Sequence, residues 1–185
     1  MPLSRLSAVG SLLVITGPPG AGKSSVARML ADSAERSALV EGDKFFGFLA
    51  SGAIEPWLPA SSDQNTVVTR AAASAAGHFA VGGYTTIYDG VVGPWFLPTF
   101  AATTALDRLD YVILLPPVET CLQRVAARRD HGFSDEAATR KMHSEFAEAN
   151  IADRHILRDP PEELAAVIAL VQVARKTDDL IYTIH

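Results

Sequence analysis

The chain opens its readable pattern with an unbroken apolar run, Ser11-Leu-Leu-Val-Ile-Thr16. Such a run predicts a strand covered on both faces. Residues 23–34 then show helical spacing, with Val26, Ala27, Leu30 and Ala31 on one face. A second strand is predicted at residues 38–41, ended by Gly42, and a short helix at 45–49. Residues 51–62 contain Gly52, Pro56 and Pro59 and read as a loop. An alanine-rich helix follows at 63–80, with Ser62 or Asp63 as its N-cap and Gly82-Gly83 as its stop. Thr85-Thr-Ile-Tyr88 predicts a third strand that ends at Asp89-Gly90, and residues 94–105 a broken helix. A fourth strand, at 111–115, is stopped by Pro116-Pro117 and followed by a helix at 118–129 and a loop at 130–134. A helix at 135–149 capped by Ser134, a weak fifth strand at 155–157 and a last helix at 161–176 complete the pattern. Pro161 and Glu162-Glu163 suit the start of that last helix.

Strands that alternate with helices predict a parallel sheet covered by helices on both faces. No repeat, low-complexity tract or linker divides the chain, so residues 1–185 read as one domain. A hydrophobic content of 48% supports a core, and 20% charged residues argue against disorder. The net charge of −5 gives no general attraction to nucleic acid or to an anionic membrane. A single cysteine, Cys121, allows no internal disulfide and reads as a structural thiol. No signal-peptide layout or membrane-length apolar run is present, and a cytoplasmic location is expected.

The strongest chemistry lies between the first strand and the first helix. Gly17-Pro18-Pro19-Gly20-Ala21-Gly22-Lys23-Ser24 fits G-x-x-x-x-G-K-[ST] at every fixed position, and Ser25 continues the loop. The pattern describes a backbone wrapped around phosphate with its N–H groups turned inward. Glycines permit the dihedrals and the close approach. The helix that starts there adds its positive end. Lys23 supplies a cation to the outer phosphates, and the Ser24 hydroxyl a ligand to Mg²⁺.

No N-K-x-D base-reading element and no L-S-G-G-Q-like signature accompanies this loop. With those classes set aside, the chain resembles the small-molecule kinase branch of the P-loop fold. That branch includes the gluconate, shikimate and adenylylsulfate kinases and, more distantly, chloramphenicol phosphotransferase and zeta toxin. The resemblance implies a three-layer α/β P-loop NTPase fold, a five-stranded parallel sheet of order 2-3-1-4-5, ATP and Mg²⁺ as cofactors, and phosphoryl transfer to the hydroxyl of a small molecule. Nucleic-acid and membrane partners are not expected. The other readings are a nucleotide hydrolase or switch without a small acceptor, and a catalytically weak nucleotide-binding module.

The resemblance assigns roles along the chain. Glu41-Gly42-Asp43 looks like the acidic element that holds the acceptor hydroxyl and helps to position Mg²⁺. Asp43 is the first candidate for the base, since an alcohol needs a proton acceptor before it can attack phosphorus. Glu41 is a candidate metal ligand. Asp89, an acid ending an apolar strand, could hold Mg²⁺ through water, touch substrate or replace Asp43 as base. Arg124 and Arg128 fall one helical turn apart. In the kinases one arginine near here packs on adenine, and another, in a lid, closes on the transferring phosphate. Residues 128–135 read as a short lid containing Gly132. Arg158-Asp159-Pro160-Pro161 is a weaker station beside the adenine.

The acceptor pocket is expected from residues 43–57, the helix at 63–80 and residues 89–96, which bring Phe45, Phe46, Phe48, Trp57, Tyr88, Trp95 and Phe96. Phe46 and Arg70 are candidate substrate contacts. Arg70 and His78 are cations that could meet an anionic or hydroxylated acceptor, although such residues also decorate solvated helix faces. Gluconate kinases typically carry a histidine-proline pair soon after the acidic element, where this chain has Lys44-Phe45-Phe46. That departure points away from gluconate and toward a less polar acceptor.

Overall fold

A computed structural model describes residues 10–127 and 135–184. Five strands, β1 (Ser11–Thr16), β2 (Ser37–Glu41), β3 (Thr85–Asp89), β4 (Arg108–Leu115) and β5 (Ile156–Arg158), form a parallel sheet in the order β2-β3-β1-β4-β5. This is the expected order. Seven helices lie among the described residues: α1 (Lys23–Asp32), α2 (Asp43–Phe46), α3 (Ser62–Val81), α4 (Leu97–Thr103), α5 (Val118–Ala126), α6 (Glu136–Ala147) and α7 (Leu164–Lys176).

The alternation of side chains along β1 divides the core in two. Leu12 and Val14 join Tyr88, the alanines of α3, Phe100 of α4 and Phe146 of α6 on one face. Leu13 and Ile15 join Ile87, Val26, Ala27, Leu30 and Ala31 of α1, and Val167 and Val171 of α7 on the other. The predicted apolar face of α1 is therefore the buried one. Helix α3 packs closely because its inner face is small: Ala72, Ala73, Ala76 and Gly77 are all buried. A Cβ at Gly77 would lie 2.0 Å from the Thr104 carbonyl oxygen, so the glycine permits contact between the backbones of α3 and the end of α4.

Several boundaries differ from expectation. Strand β4 begins three residues early, at Arg108, because β6 (Ile181–Thr183) pairs antiparallel with residues 108–110. This sixth strand was not expected; three residues are too few to show a period. The N-cap of α6 is Asp135, whose Oδ1 accepts the Ala138 amide at 2.9 Å, in place of Ser134. The cap of α3 is Ser61, without a side-chain cap bond, because its hydroxyl donates to the Pro56 and Leu58 carbonyls. Helix α7 starts at Leu164, three residues after Pro161, with Glu163 extended at its cap. Near its other end, Arg175 Nε donates to Asp110 Oδ2 at 2.9 Å and Nη2 to Ser11 Oγ at 3.1 Å. One side chain thus ties α7 to β4 and to the start of β1. No helix among the described residues is long and apolar enough to cross a membrane.

Candidate active site

The loop after β1 has the backbone that its glycines predict. Gly17, Gly20 and Gly22 have φ of 142°, 80° and 93°. Gly20 meets a second constraint: a Cβ there would lie 2.3 Å from the Cys121 carbonyl oxygen. Gly22 is the left-handed N-cap of α1 and offers no side-chain cap. The first amides of α1 therefore face the loop without a side-chain acceptor from the cap. Lys23 Nζ donates to the Gly17 and Pro18 carbonyls, both at 3.0 Å, which folds the ammonium over the loop. Ser24 and Ser25 are exposed, Pro19 and Lys23 half-buried, and Ala21 buried.

Sheet register brings the two acidic strand ends to this loop. Asp89 is the Cα partner of both Ile15 and Glu41. The Gly42 amide donates to the Asp89 carbonyl at 2.7 Å. Asp89 shares the face of Ile87, toward α1, and is 7% exposed. Burial pushes its pKa up; hydrogen bonding with Ser24 and the charge of Lys23 oppose this, while Asp43 and Glu41 reinforce it. Ser24, Lys23, Asp43 and Asp89 thus converge at the carboxyl edge of the sheet, where ligands bind in open α/β folds.

The acidic turn divides its two carboxylates. Asp43 is the first residue of α2 and is exposed. The Glu41 carboxylate is engaged by Lys44 and by Arg28 Nη2 at 3.4 Å. Those ion pairs occupy the carboxylate that was a candidate metal ligand. Phe46 is half-buried on the same short helix. Arg70 is exposed on α3, off the face formed by Val68, Thr69, Ala72 and Ala73. His78 is also exposed, its Nδ1 2.7 Å from the Ser74 carbonyl oxygen.

Arg124 reaches the loop from α5. Its Nη1 donates to the Gly20 carbonyl at 3.4 Å and lies 3.5 Å from where a Cβ on Gly22 would stand. Arg128 and the lid residues 128–134 lie outside the described residues. Arg158 is exposed, with Nη2 3.6 Å from Asp153 Oδ1. Cys121 is buried against Gly20, and burial pushes its thiol pKa up, as befits a packing residue.

Two features of the site were missed. Thr16 Oγ1 accepts the Val92 amide at 2.9 Å, and the Tyr111 hydroxyl donates to the Val92 carbonyl at 2.7 Å, which pins the segment after β3 over the sheet edge. Tyr88, 4% exposed, stands in a slot made by two glycines: a Cβ at Gly42 would lie 2.1 Å from its hydroxyl, and one at Gly90 2.9 Å from its ring. Phe100 closes the slot edge-on at 4.7 Å. Burial, Asp43 and Asp89 push its pKa up, so the phenol is a neutral donor at physiological pH. The sequence signal was the pairing of glycines with a tyrosine at one strand edge, visible only once β2 and β3 are known to be neighbours.

The fold is that of the P-loop NTPases. It is similar to a gluconokinase from Sinorhizobium meliloti 1021, with a TM-score of 0.69 and 16% identity over 94% of this chain and 95% of that one. A sugar kinase from Janibacter sp. HTCC2649 aligns with a TM-score of 0.65 and 18% identity over 90% and 95%. A chain of the Pnkp1/Rnl/Hen1 RNA repair complex aligns with a TM-score of 0.59 and 17% identity over 80% of this chain. The present chain spans about half of that one, 47%. At these identities the likeness is one of fold. No sequence among the curated proteins matches. Residues 12–150, from β1 to the end of α6, match the profile described as the AAA domain, and the chain belongs to that family.

Proposed function

We propose that the protein is an ATP- and Mg²⁺-dependent phosphotransferase that moves the γ-phosphate of ATP to a hydroxyl of a small molecule. The observation that carries this reading is the convergence of two carboxylates in unlike settings on the phosphate loop: Asp89 buried beside Ser24 and Lys23, and Asp43 exposed at the start of α2. A hydrolase needs only to position water. A second, accessible carboxylate beside the first suits the deprotonation of an alcohol. The fold likeness to a gluconokinase and a sugar kinase supports the same class.

The donor set fits the cofactors. Uncapped amides at the start of α1 and the backbone of Gly17, Pro19, Gly20, Ala21 and Gly22 suit phosphate oxygens. Mg²⁺ needs few protein ligands when phosphates and water supply the rest, and Ser24 with Asp89 provides such a pair. When bound, the metal would neutralise charge between the outer phosphates. Lys23 leaves the Gly17 and Pro18 carbonyls for the transferring group. Asp43 accepts the acceptor's proton. Arg124 lies where it can hold the loop and touch the nucleotide, and Arg128 is the proposed lid arginine. Ser25 and Phe46 flank the donor and acceptor sides. Glu41 keeps Lys44 and Arg28 in place around the acidic turn, a positioning role in place of direct metal ligation. Asp89 serves the metal, and Arg70 stands on the exposed face of α3. The whole chain acts as one domain.

A panel of hydroxyl metabolites with radiolabelled ATP and Mg²⁺ tests this reading. ATP turnover should rise sharply with a true acceptor, and Asp43→Asn should abolish the rise. Turnover that is intrinsic and indifferent to every hydroxyl compound would replace the reading with a hydrolase. Full transfer by Asp43→Asn would move the base to Asp89.

A further inference from the structure

The surroundings of the acidic turn define the chemistry of its acceptor. Phe45 packs against the core beneath α3 and meets Phe48 edge-on at 5.5 Å. Phe48 is 77% exposed, although an aromatic ring gains most from leaving water. Val91 and Phe96, on the segment pinned by Thr16, pack on the same core cluster, and Tyr88 belongs to it. The two chain segments that leave the sheet edge beside Asp43 are neighbours through the Glu41–Asp89 register, and both carry apolar residues. Tyr88 of the same cluster carries its hydroxyl against Gly42, next to Asp43.

Charge points the same way. An acidic acceptor would bring its own carboxylate next to Asp43 and Asp89 and would need a cation to offset the repulsion. Among the described residues the cations at the acidic turn are Lys44 and Arg28, and Glu41 engages both. Lys23 and Arg124 belong to the phosphate loop.

We propose that the acceptor is an alcohol carried on an aromatic, non-acidic frame, seated against Phe45, Phe48 and Val91 with the Tyr88 hydroxyl as a donor beside Asp43. This assignment rests on the phosphotransferase reading for the location of the acceptor. It predicts binding, however, and binding is measurable without transfer.

The test is calorimetric titration of the full chain in Mg²⁺ and a non-hydrolysable ATP analogue. Three probes are used: 2-naphthaleneethanol, the same alcohol with a carboxylate on the far ring, and D-gluconate. The naphthalene alcohol should bind at least ~10-fold more tightly than either acid. Phe48→Ser, an exposed substitution, should weaken it by about 5-fold and leave the affinity for the ATP analogue unchanged. Tyr88→Phe, which keeps the ring in its slot, should weaken it by a similar factor. Equal or tighter binding of either acid, or no binding of the naphthalene alcohol, overturns the assignment. Tight, Phe48-dependent binding with no phosphate transferred to any alcohol upholds it and overturns the phosphotransferase reading instead.

Discussion

The amide of Gly42 donates to the carbonyl of Asp89 at 2.7 Å, and through this bond the acidic turn after β2 is fixed to the buried acid at the end of β3. Their distance from the phosphate loop is set by the sheet, since Asp89 is in register with Ile15 of β1. The spacing of the two acids from the loop is thus a property of strand register, which packing on both faces protects against slippage.

Asp89 carries a cost that a substitution should reveal. Its folded-state pKa is raised by burial, so the folded protein binds that proton more readily than the unfolded chain does. Its stabilising contribution is complete below the unfolded carboxylate range and is lost as pH rises through the raised folded value. Asp89→Asn should therefore melt a few degrees higher than the parent at pH 8, with the difference shrinking as pH falls toward the carboxylate range. The same variant should lose most Mg²⁺-dependent turnover. Thermal melts across pH, paired with activity, check both halves; a lower melting temperature at pH 8 would contradict the cost assigned to the buried charge.

Two glycines of the loop should respond differently to alanine. At Gly20 a Cβ meets the Cys121 carbonyl oxygen at 2.3 Å on a backbone with φ 80°. At Gly22 the contact is the movable Arg124 Nη1 at 3.5 Å, and the strain is that of φ 93° alone. Gly22→Ala should cost about 1–2 kcal/mol, the expense of a left-handed residue. Gly20→Ala should cost a further 1–3 kcal/mol or so from overpacking. Denaturant unfolding of the two variants checks the order.

Arg175 offers a test of the frame apart from the site. It is held by Asp110 and Ser11, with its side chain and that of Asp110 at 23% and 17% exposure. Arg175→Ala strands a mostly buried carboxylate and should cost about 1–3 kcal/mol. The affinity for an ATP analogue should stay at the parental value, because the clamp lies at the opposite end of β1 from the loop. Unfolding midpoints and nucleotide titration separate the two effects.

The parts of this account legible in the sequence were those written in consecutive residues. The phosphate loop needs its glycines, Lys23 and Ser24 at fixed spacing, and the α1 face needs Val26, Ala27, Leu30 and Ala31 at a helical period. Asp43 and Asp89 were visible as acids ending strands. What resisted reading depends on neighbours distant in sequence. The ion pairs of Glu41 with Arg28 and Lys44 depend on where α1 and α2 lie beside the end of β2. The Tyr88 slot requires β2 beside β3. Strand β6 is too short to show a period, and helix starts moved where Ser61 and Asp135 found different partners from those expected.

The most direct test of the central claim is the transfer of label from radiolabelled ATP to acceptor by the parent protein and by Lys23→Ala, measured side by side. Removing the charge over the phosphate loop should lower the rate by at least ~10²-fold, as the loss of transition-state charge stabilisation does elsewhere. Equal rates in the two proteins would contradict the placement of phosphoryl transfer at this loop.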